Sequence, residues 1–278
     1  MPQQGYVMSL SPDRNGKFTA SEIYRLMAEN GEIDWSPRRE GAKGVGYTCW
    51  TGGEYVEAED RFEGGIQYVK TVFKTDKEYK DFISAERKRL GQFVLSAGAK
   101  TYARQKAREL NFADDPLSPR IETKDMKRGH EREQEAADYF AMLNEIDLFY
   151  TGESQQFIPW GTDSGGTPDA RIGSINGVTC DFKCPDPDNH QDNLIDVFDN
   201  DSLKKVYPVY YWQQQCQIAA AKQDYGYWVS YNPVAHNPRA RLHVVRIDRN
   251  QADIDKMEKR VAMAAEYRDQ IIQRIRGL

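Results

Sequence analysis

Residues 167–185, TPDARIGSINGVTCDFKCP, carry two aspartates, Asp169 and Asp181, and one lysine, Lys183, around Asn176-Gly177. Asn-Gly between strand-like runs predicts a hairpin with a type I′ turn, because both residues tolerate positive φ. The expected strands are Thr167–Gly173 and Val178–Lys183, antiparallel and adjacent, with Asp169 beside Asp181. Side chains alternate along a strand, so Asp181 and Lys183 share a face while Phe182 points into the core. Two neighbouring carboxylates repel each other unless a cation lies between them. Hard oxygen ligands with positions left open for water and phosphate suit Mg²⁺.

The chain of 278 residues is long enough for one large domain or one domain with an elaboration. Its hydrophobic content of 39% and mean hydropathy of −0.78 are polar but still globular, and 12% aromatic residues argue against disorder. A net charge of −5 does not point to nucleic acid, although an acidic chain can still carry a local basic track. The four cysteines, at 49, 180, 184 and 216, form no Cys-x-x-Cys pair, so no zinc or iron–sulfur site is expected. The opening MPQQGYVMSLSPDR has no basic-then-apolar layout, and no apolar run approaches the ~18 residues of a membrane span. The expectation is a soluble cytoplasmic protein with reduced thiols and no membrane partner.

Along the chain, residues 1–12 read as a loose leader and Asp13–Lys17 as a turn. Thr19 or Ser21 can cap a helix to about Asn30. Glycine-dense residues with short apolar runs follow, so 31–95 reads as a β-rich insertion within a single domain spanning 1–278; its tail is a helix from Asp76 to about Leu90. Residues 92–110 read as a helix with Lys100, Arg104, Lys106 and Arg108 near one side, and Thr123 or Lys124 opens another to about Asn144. Then come a strand at Gln155–Trp160, the hairpin, and an acidic polar loop over Asp186–Asp201. A helix at Pro208–Lys222, strands at Tyr225–Tyr231 and Leu242–Ile247, and a helix from about Ala252 complete the order. That order is an α/β (α+β) core with a central mixed sheet flanked by helices, not a repeated βαβ unit.

Phosphodiester hydrolysis needs charge gathered on the phosphoryl group, an activated water and a fixed cation near the reacting atoms. Asp169 and Asp181 are candidate metal ligands, the backbone carbonyl of Phe182 a further one, and Lys183 the candidate cation or water-positioning group. The ordinary alternative is a surface hairpin with an Asp–Lys salt bridge. No ATP-type glycine loop occurs, so no nucleotide cofactor is expected. The four histidines, at 130, 190, 236 and 243, show no metal spacing.

With TPD and DFKCP as its centre, the chain resembles the lambda exonuclease-like (YqaJ-type viral recombinase) family of the PD-(D/E)xK nuclease superfamily. Further stretches carry the resemblance: Arg14-Asn-Gly16-Lys-Phe-Thr19-Ala20-Ser21, Gly129-His-Glu-Arg-Glu133 with Ala136, Tyr211-Trp-Gln-Gln-Gln215-Cys-Gln217, and Tyr231-Asn-Pro233. It covers about residues 13–30 and 100–275 and leaves out the insertion. Asp181 departs from the pattern, since this branch usually has glutamate there.

The resemblance implies a restriction-endonuclease-like core. It implies that Glu133, otherwise an ordinary solvated helix glutamate, faces the metal. It implies that Gln215 contacts the active-site water, the lysine or the phosphate, with Gln213 and Gln217 as lesser candidates. It places Arg14, Ser21 and Thr167 around a 5′-terminal phosphate, and Met126 as a possible wedge between DNA strands; core packing is as good a reading of a lone Met. The implied activity is Mg²⁺-dependent 5′→3′ digestion of one strand of linear duplex DNA to mononucleotides, with Mn²⁺ able to substitute. The implied assembly is a toroidal homotrimer working with a single-strand annealing protein in phage-type recombination, in the cytoplasm of a bacterial host. The rival readings are a structure- or sequence-specific endonuclease on the same fold, and a non-catalytic DNA-binding or assembly protein.

Overall fold

The structure, a computed structural model, describes residues 12–27, 95–113 and 124–278, short strands within 45–68, and the single position Asp81; in the helix that opens at Lys124, side chains are described from Arg132 onward. The chain divides into a larger unit, Met1–Met27 with Ala99–Leu278, and a smaller one, Ala28–Gly98. All but the last position of the expected leader, and all but one position of the helix expected over Asp76–Leu90, lie outside the described residues.

The strands run β1 (Phe18–Thr19), β2 (Val45–Gly46), β3 (Trp50–Thr51), β4 (Glu54–Tyr55), β5 (Arg61–Glu63), β6 (Ile66–Tyr68), β7 (Leu148–Phe149), β8 (Ile158–Trp160), β9 (Ser164–Gly166), β10 (Ala170–Ile172), β11 (Val178–Lys183), β12 (Tyr225–Tyr231) and β13 (Leu242–Asp248). The helices are α1 (Ala97–Asn111), α2 (Lys124–Asn144), α3 (Pro187–Asp196), α4 (Asn200–Val206), α5 (Pro208–Ala221) and α6 (Gln251–Arg276). Within the smaller unit β2, β6 and β5 form one sheet and β3 and β4 a second.

The larger unit is built on a five-stranded sheet of order β13-β12-β11-β10-β7. Its pairs are antiparallel except β11 with β12, so the sheet is mixed, as expected. One face packs on α2: Ala136, Ala137 and Phe140 meet Ala170, Cys180, Phe182, Val229 and Tyr231. The rings of Phe140 and Phe182 meet edge to face at 5.8 Å. Burying each is worth roughly 2–3 kcal/mol.

The other face packs on α5, which also touches β8, β9 and the 3₁₀ segment Ala20–Leu26. Contact on several sides explains the glutamine run of this helix. Gln214, Gln215 and Gln217 are buried rather than solvated. A second sheet, β1-β9-β8, carries the N-terminal residues, with β1 parallel to β9. Buried arginines of α6 hold this segment: Arg268 donates to the Gly16 carbonyl at 2.8 Å and to Asp163 at 2.7 Å, and Arg260 donates to the Leu26 carbonyl at 3.2 Å.

Three local expectations change. The hairpin forms with Ala170 opposite Cys180 and Ile172 opposite Val178, but Asn176-Gly177 is not a type I′ turn. The connection spans residues 173–177, with positive φ at Gly173 (76°) and not at Asn176 or Gly177. Gly177 is needed for space, since a Cβ there would sit 1.8 Å from the Ile172 carbonyl oxygen. Next, the helix expected from Thr19 or Ser21 is the 3₁₀ segment Ala20–Leu26, whose buried Ala20, Ile23 and Leu26 recur every third residue; residues 28–30 lie outside the described residues.

Lastly, the polar loop expected over Asp186–Asp201 contains α3 and the start of α4. Asp186 caps α3 by accepting from Asn189 N–H at 2.9 Å, and Asp199 forms a capping box with Ser202. The buried side of α3 is polar, His190 and Asn193, so apolar periodicity could not reveal it. Among the described residues no helix is long and apolar enough to cross a membrane.

His190 gives this corner a pH dependence. The Ala240 carbonyl can only accept, so Nε2 carries the proton at 2.7 Å, and Nδ1 accepts from the Ser230 hydroxyl at 2.8 Å. Ser230 in turn accepts from Asn193 at 2.9 Å. Burial holds the His190 pKa below its ordinary 6.5, ahead of the opposing bond to Ala240 and the further lowering by His243. The unfolded chain therefore takes up a proton at a pH where the folded chain does not. The His190 contribution to the melting temperature should be constant above about pH 6.5 and fall as pH drops below it. Scanning calorimetry of His190→Gln should show a shallower fall.

Candidate active site

Alternation along β11 divides its side chains between two helices. Cys180 and Phe182 join the α2 core, while Asp181 and Lys183 face α5. Asp169 precedes β10, and its N–H donates to the Cys180 carbonyl at 3.0 Å. Its carboxylate accepts from the Phe182 N–H at 2.7 Å. The main chain between Asp181 and Lys183 therefore holds Asp169 beside both.

Asp181 is wholly buried. Its Oδ1 accepts from Gln213 at 2.8 Å and Gln217 at 3.3 Å. Its Oδ2 is ion-paired with Lys183 Nζ. The ammonium also lies 5.0 Å from the ring centre of Tyr210. Glu133 reaches in from α2 and accepts a hydrogen bond from Gln155 Nε2.

The charges are unequal. Burial, then Asp181, push the Asp169 carboxyl well above the usual carboxylate range; Lys183 opposes this, Glu133 adds to it, and the Phe182 N–H opposes it. Burial works against the charged form of Lys183, but Asp181 and Asp169 outweigh it and hold the amine protonated above its ordinary pKa. Burial, followed by Glu133 and Asp169, pushes the Cys184 thiol up to about 12, so it stays neutral.

Among the described residues Asp169, Asp181 and Glu133 crowd one ammonium, Lys183, and the crowding drives the Asp169 carboxyl toward its neutral form; a divalent cation would restore all three as carboxylates. The donors Asp169, Asp181, Glu133 and the Phe182 carbonyl are all oxygen, which suits Mg²⁺. Among the described residues no three His, Cys, Asp or Glu side chains converge as a ready cluster. Each acid is instead turned toward its own hydrogen-bond donor.

Gln215 is placed elsewhere. Its Nε2 donates to the Asp248 carbonyl at 2.9 Å, and its Oε1 accepts from Asn250 N–H at 2.8 Å. Helix phase is the reason: residues four apart share a face and residues two apart do not. Gln213 and Gln217 therefore reach Asp181, and Gln215 braces the turn from β13 into α6. Tyr210, one turn before Gln213, and Gln155 also belong to the site, and the sequence does not mark them: Gln155 lies in a polar run, Glu153-Ser-Gln-Gln156, with nothing to distinguish it.

The phosphate-pocket candidates are brought together in part. Thr19 lies opposite Gly165, and a Cβ on Gly166 would sit 2.8 Å from that of Ala20. Ser21 and Thr167 follow at the same end. Ser21 is exposed, whereas the Thr167 hydroxyl is buried and has no hydrogen-bond partner among the described residues. Arg14 stands half-buried just upstream of β1. The Met126 side chain lies outside the described residues. Of the basic helix, Lys106 is buried against Glu109 at 2.9 Å and Arg104 donates to Tyr267 at 3.2 Å, so these two are engaged within the protein.

Solved structures share this architecture. The alkaline exonuclease LHK-Exo from Laribacter hongkongensis superposes with a TM-score of 0.58 at 16% identity, over 95% of this chain and 93% of its own. Its complex with dAMP gives 0.58 at 17%, over 94% and 92%. The chain has the fold of these exonucleases. A phage-related exonuclease from Haemophilus somnus 129PT adds a TM-score of 0.52 at 20% identity, over 68% of this chain and 88% of its own. No protein-family model and no curated protein sequence matches the chain. The nuclease-like core expected from the sequence is therefore met at the level of the fold, by proteins of the expected kind.

The two glutamines separate in stability. Gln215→Ala removes the acceptor of the Asn250 N–H, while the Asp248 carbonyl keeps the Asn200 amide at 2.8 Å, and should lower the unfolding free energy by about 1–3 kcal/mol in urea titration. Gln213→Ala should cost less, because Asp181 keeps Lys183 and Gln217.

Proposed function

We propose that the chain is a Mg²⁺-dependent 5′→3′ exonuclease that digests one strand of linear double-stranded DNA to mononucleotides and leaves a 3′ overhang. One observation carries this reading: Asp169, Asp181 and Lys183 meet at the β10–β11 end beside Glu133, on a fold shared with exonucleases. The direction of digestion, the use of Mn²⁺ in place of Mg²⁺, a toroidal homotrimer, an annealing partner and a phage or prophage role in a bacterial cytoplasm come from the motif resemblance.

Asp169, Asp181, Glu133 and the Phe182 carbonyl would hold the metal, which gathers charge on the scissile phosphate and lowers the pKa of a water. Gln213 and Gln217 orient Asp181 toward this task, whereas Gln215, expected to contact the water, the lysine or the phosphate, bonds to Asp248 and Asn250 instead. Lys183 lies against Asp181, where a cation can stabilise negative charge developing on the phosphate or position the attacking water.

The Arg14 guanidinium, the Ser21 hydroxyl and the Thr167 hydroxyl supply donors for a terminal 5′-phosphate. Thr167 is two residues from Asp169, so the anchoring group and a cutting group lie on one short segment. A phosphate held there fixes which bond reaches the carboxylates, which favours an end-dependent enzyme over an endonuclease.

Lys183→Ala should reduce nucleotide release from linear duplex by about 10²–10³-fold without unfolding the chain. Equal release by wild type and variant would contradict the mechanism, and rapid linearisation of covalently closed circles would favour the endonuclease. Arg14→Ala should narrow the preference for 5′-phosphorylated over 5′-hydroxyl ends, measured as a ratio of initial rates; an unchanged ratio removes Arg14 from the pocket.

A further inference from the structure

We infer that Gln155 is a positioning residue that sets the Glu133 carboxylate for metal binding, and that the turn at residues 150–155 is built to present it. The inference rests on the proposed reading of Glu133 as a metal ligand. A carboxylate can only accept, so the Gln155 side chain must offer its NH₂ to Glu133.

The turn behind Gln155 is tightly specified. Tyr150 and Gly152 both have positive φ, 58° and 53°, and for a bulky tyrosine this conformation is strained. The 3₁₀ turn Gly152–Ser154 follows, closed by Ser154 N–H on the Thr151 carbonyl at 3.1 Å and Gln155 N–H on the Gly152 carbonyl at 3.2 Å. The Ser154 hydroxyl adds a bond to the Thr151 carbonyl at 2.7 Å. At the other end Arg171 of β10 lies 5.0 Å from the ring centre of Tyr150.

The turn is also pressed onto α2 next to Glu133. A Cβ on Gly152 would sit 2.9 Å from Gln134 Oε1, and Gln134 is anchored in turn to Asp138 at 2.8 Å. A segment fixed to β10 on one side and to α2 on the other spans the two elements that bring Asp169 and Glu133 together.

The chemistry of the donor matters. Lysine or arginine at this position would also orient Glu133, but would neutralise it and compete with a metal. An amide orients the carboxylate without bringing a charge of its own. Asp181 is treated the same way by Gln213, and Asp169 by the Phe182 N–H.

The test uses the full chain and Mn²⁺ as probe, without DNA, read by electron paramagnetic resonance or calorimetry. Gln155→Met keeps the shape and removes the donor; Gln155→Ala removes both. Both should weaken Mn²⁺ binding by about 10–100-fold with the metal-free melting temperature unchanged. In nucleotide release, the Mg²⁺ concentration for half-maximal rate should rise in parallel, with KM for duplex DNA unchanged. Wild-type Mn²⁺ affinity in Gln155→Met overturns the inference, and so does a loss of metal binding that merely follows a loss of metal-free stability. If wild type binds Mn²⁺, the variants bind it more weakly and no nucleotide is released, the inference stands and the exonuclease reading fails. If wild type binds no Mn²⁺, both fail.

Discussion

A carboxylate buried completely in the middle of a sheet has to be stabilised by its neighbours, and Asp181 is such a group. Its surroundings follow from that requirement. Lys183 takes one oxygen from two residues away on the same strand face, and Gln213 and Gln217 take the other from α5. Asp169 is fixed alongside by main-chain bonds to the strand that carries Asp181. The pairing of β10 with β11, the phase of α5 and its place between the two sheets all serve this one charge. Yet the balance remains incomplete, because Asp181 and Glu133 together push the Asp169 carboxyl toward its neutral form, more than Lys183 offsets.

The donors in the site fall into two kinds. Lys183 brings charge; Gln213, Gln217, Gln155 and the Phe182 N–H bring direction only. In a low-dielectric setting neutral donors can hold carboxylates in place while leaving the field of the site negative. A site with more lysines and arginines would be more stable without a metal and less able to take one up.

Much of this was legible in the sequence, for physical reasons. The alternation Cys180-Asp181-Phe182-Lys183 has one geometric meaning in a strand, and the mixed sheet followed from the order of elements. What was not legible lay where local chemistry was overridden. Asn176-Gly177 carries a strong turn signal, but the loop uses Gly173 for positive φ and Gly177 for clearance. The glutamine run of α5 offers several candidates at adjacent positions, and a motif match cannot choose among them; helix phase selects Gln213 and Gln217. Helix α3 hides its buried face by making it polar. Lys106 reads as part of a basic surface and is buried against Glu109.

The way α6 holds the N-terminal segment bears on the order of assembly. Arg14, Gly16 and Ser21 are made early, yet Gly16 and Leu26 are held by Arg268 and Arg260, which leave the ribosome more than two hundred residues later. During synthesis the β10–β11 hairpin and α5 can associate while these early residues still lack their clasp. On the proposed reading, the segment that would grip a DNA terminus gains this clasp only after the residues of the β10–β11 hairpin have been made.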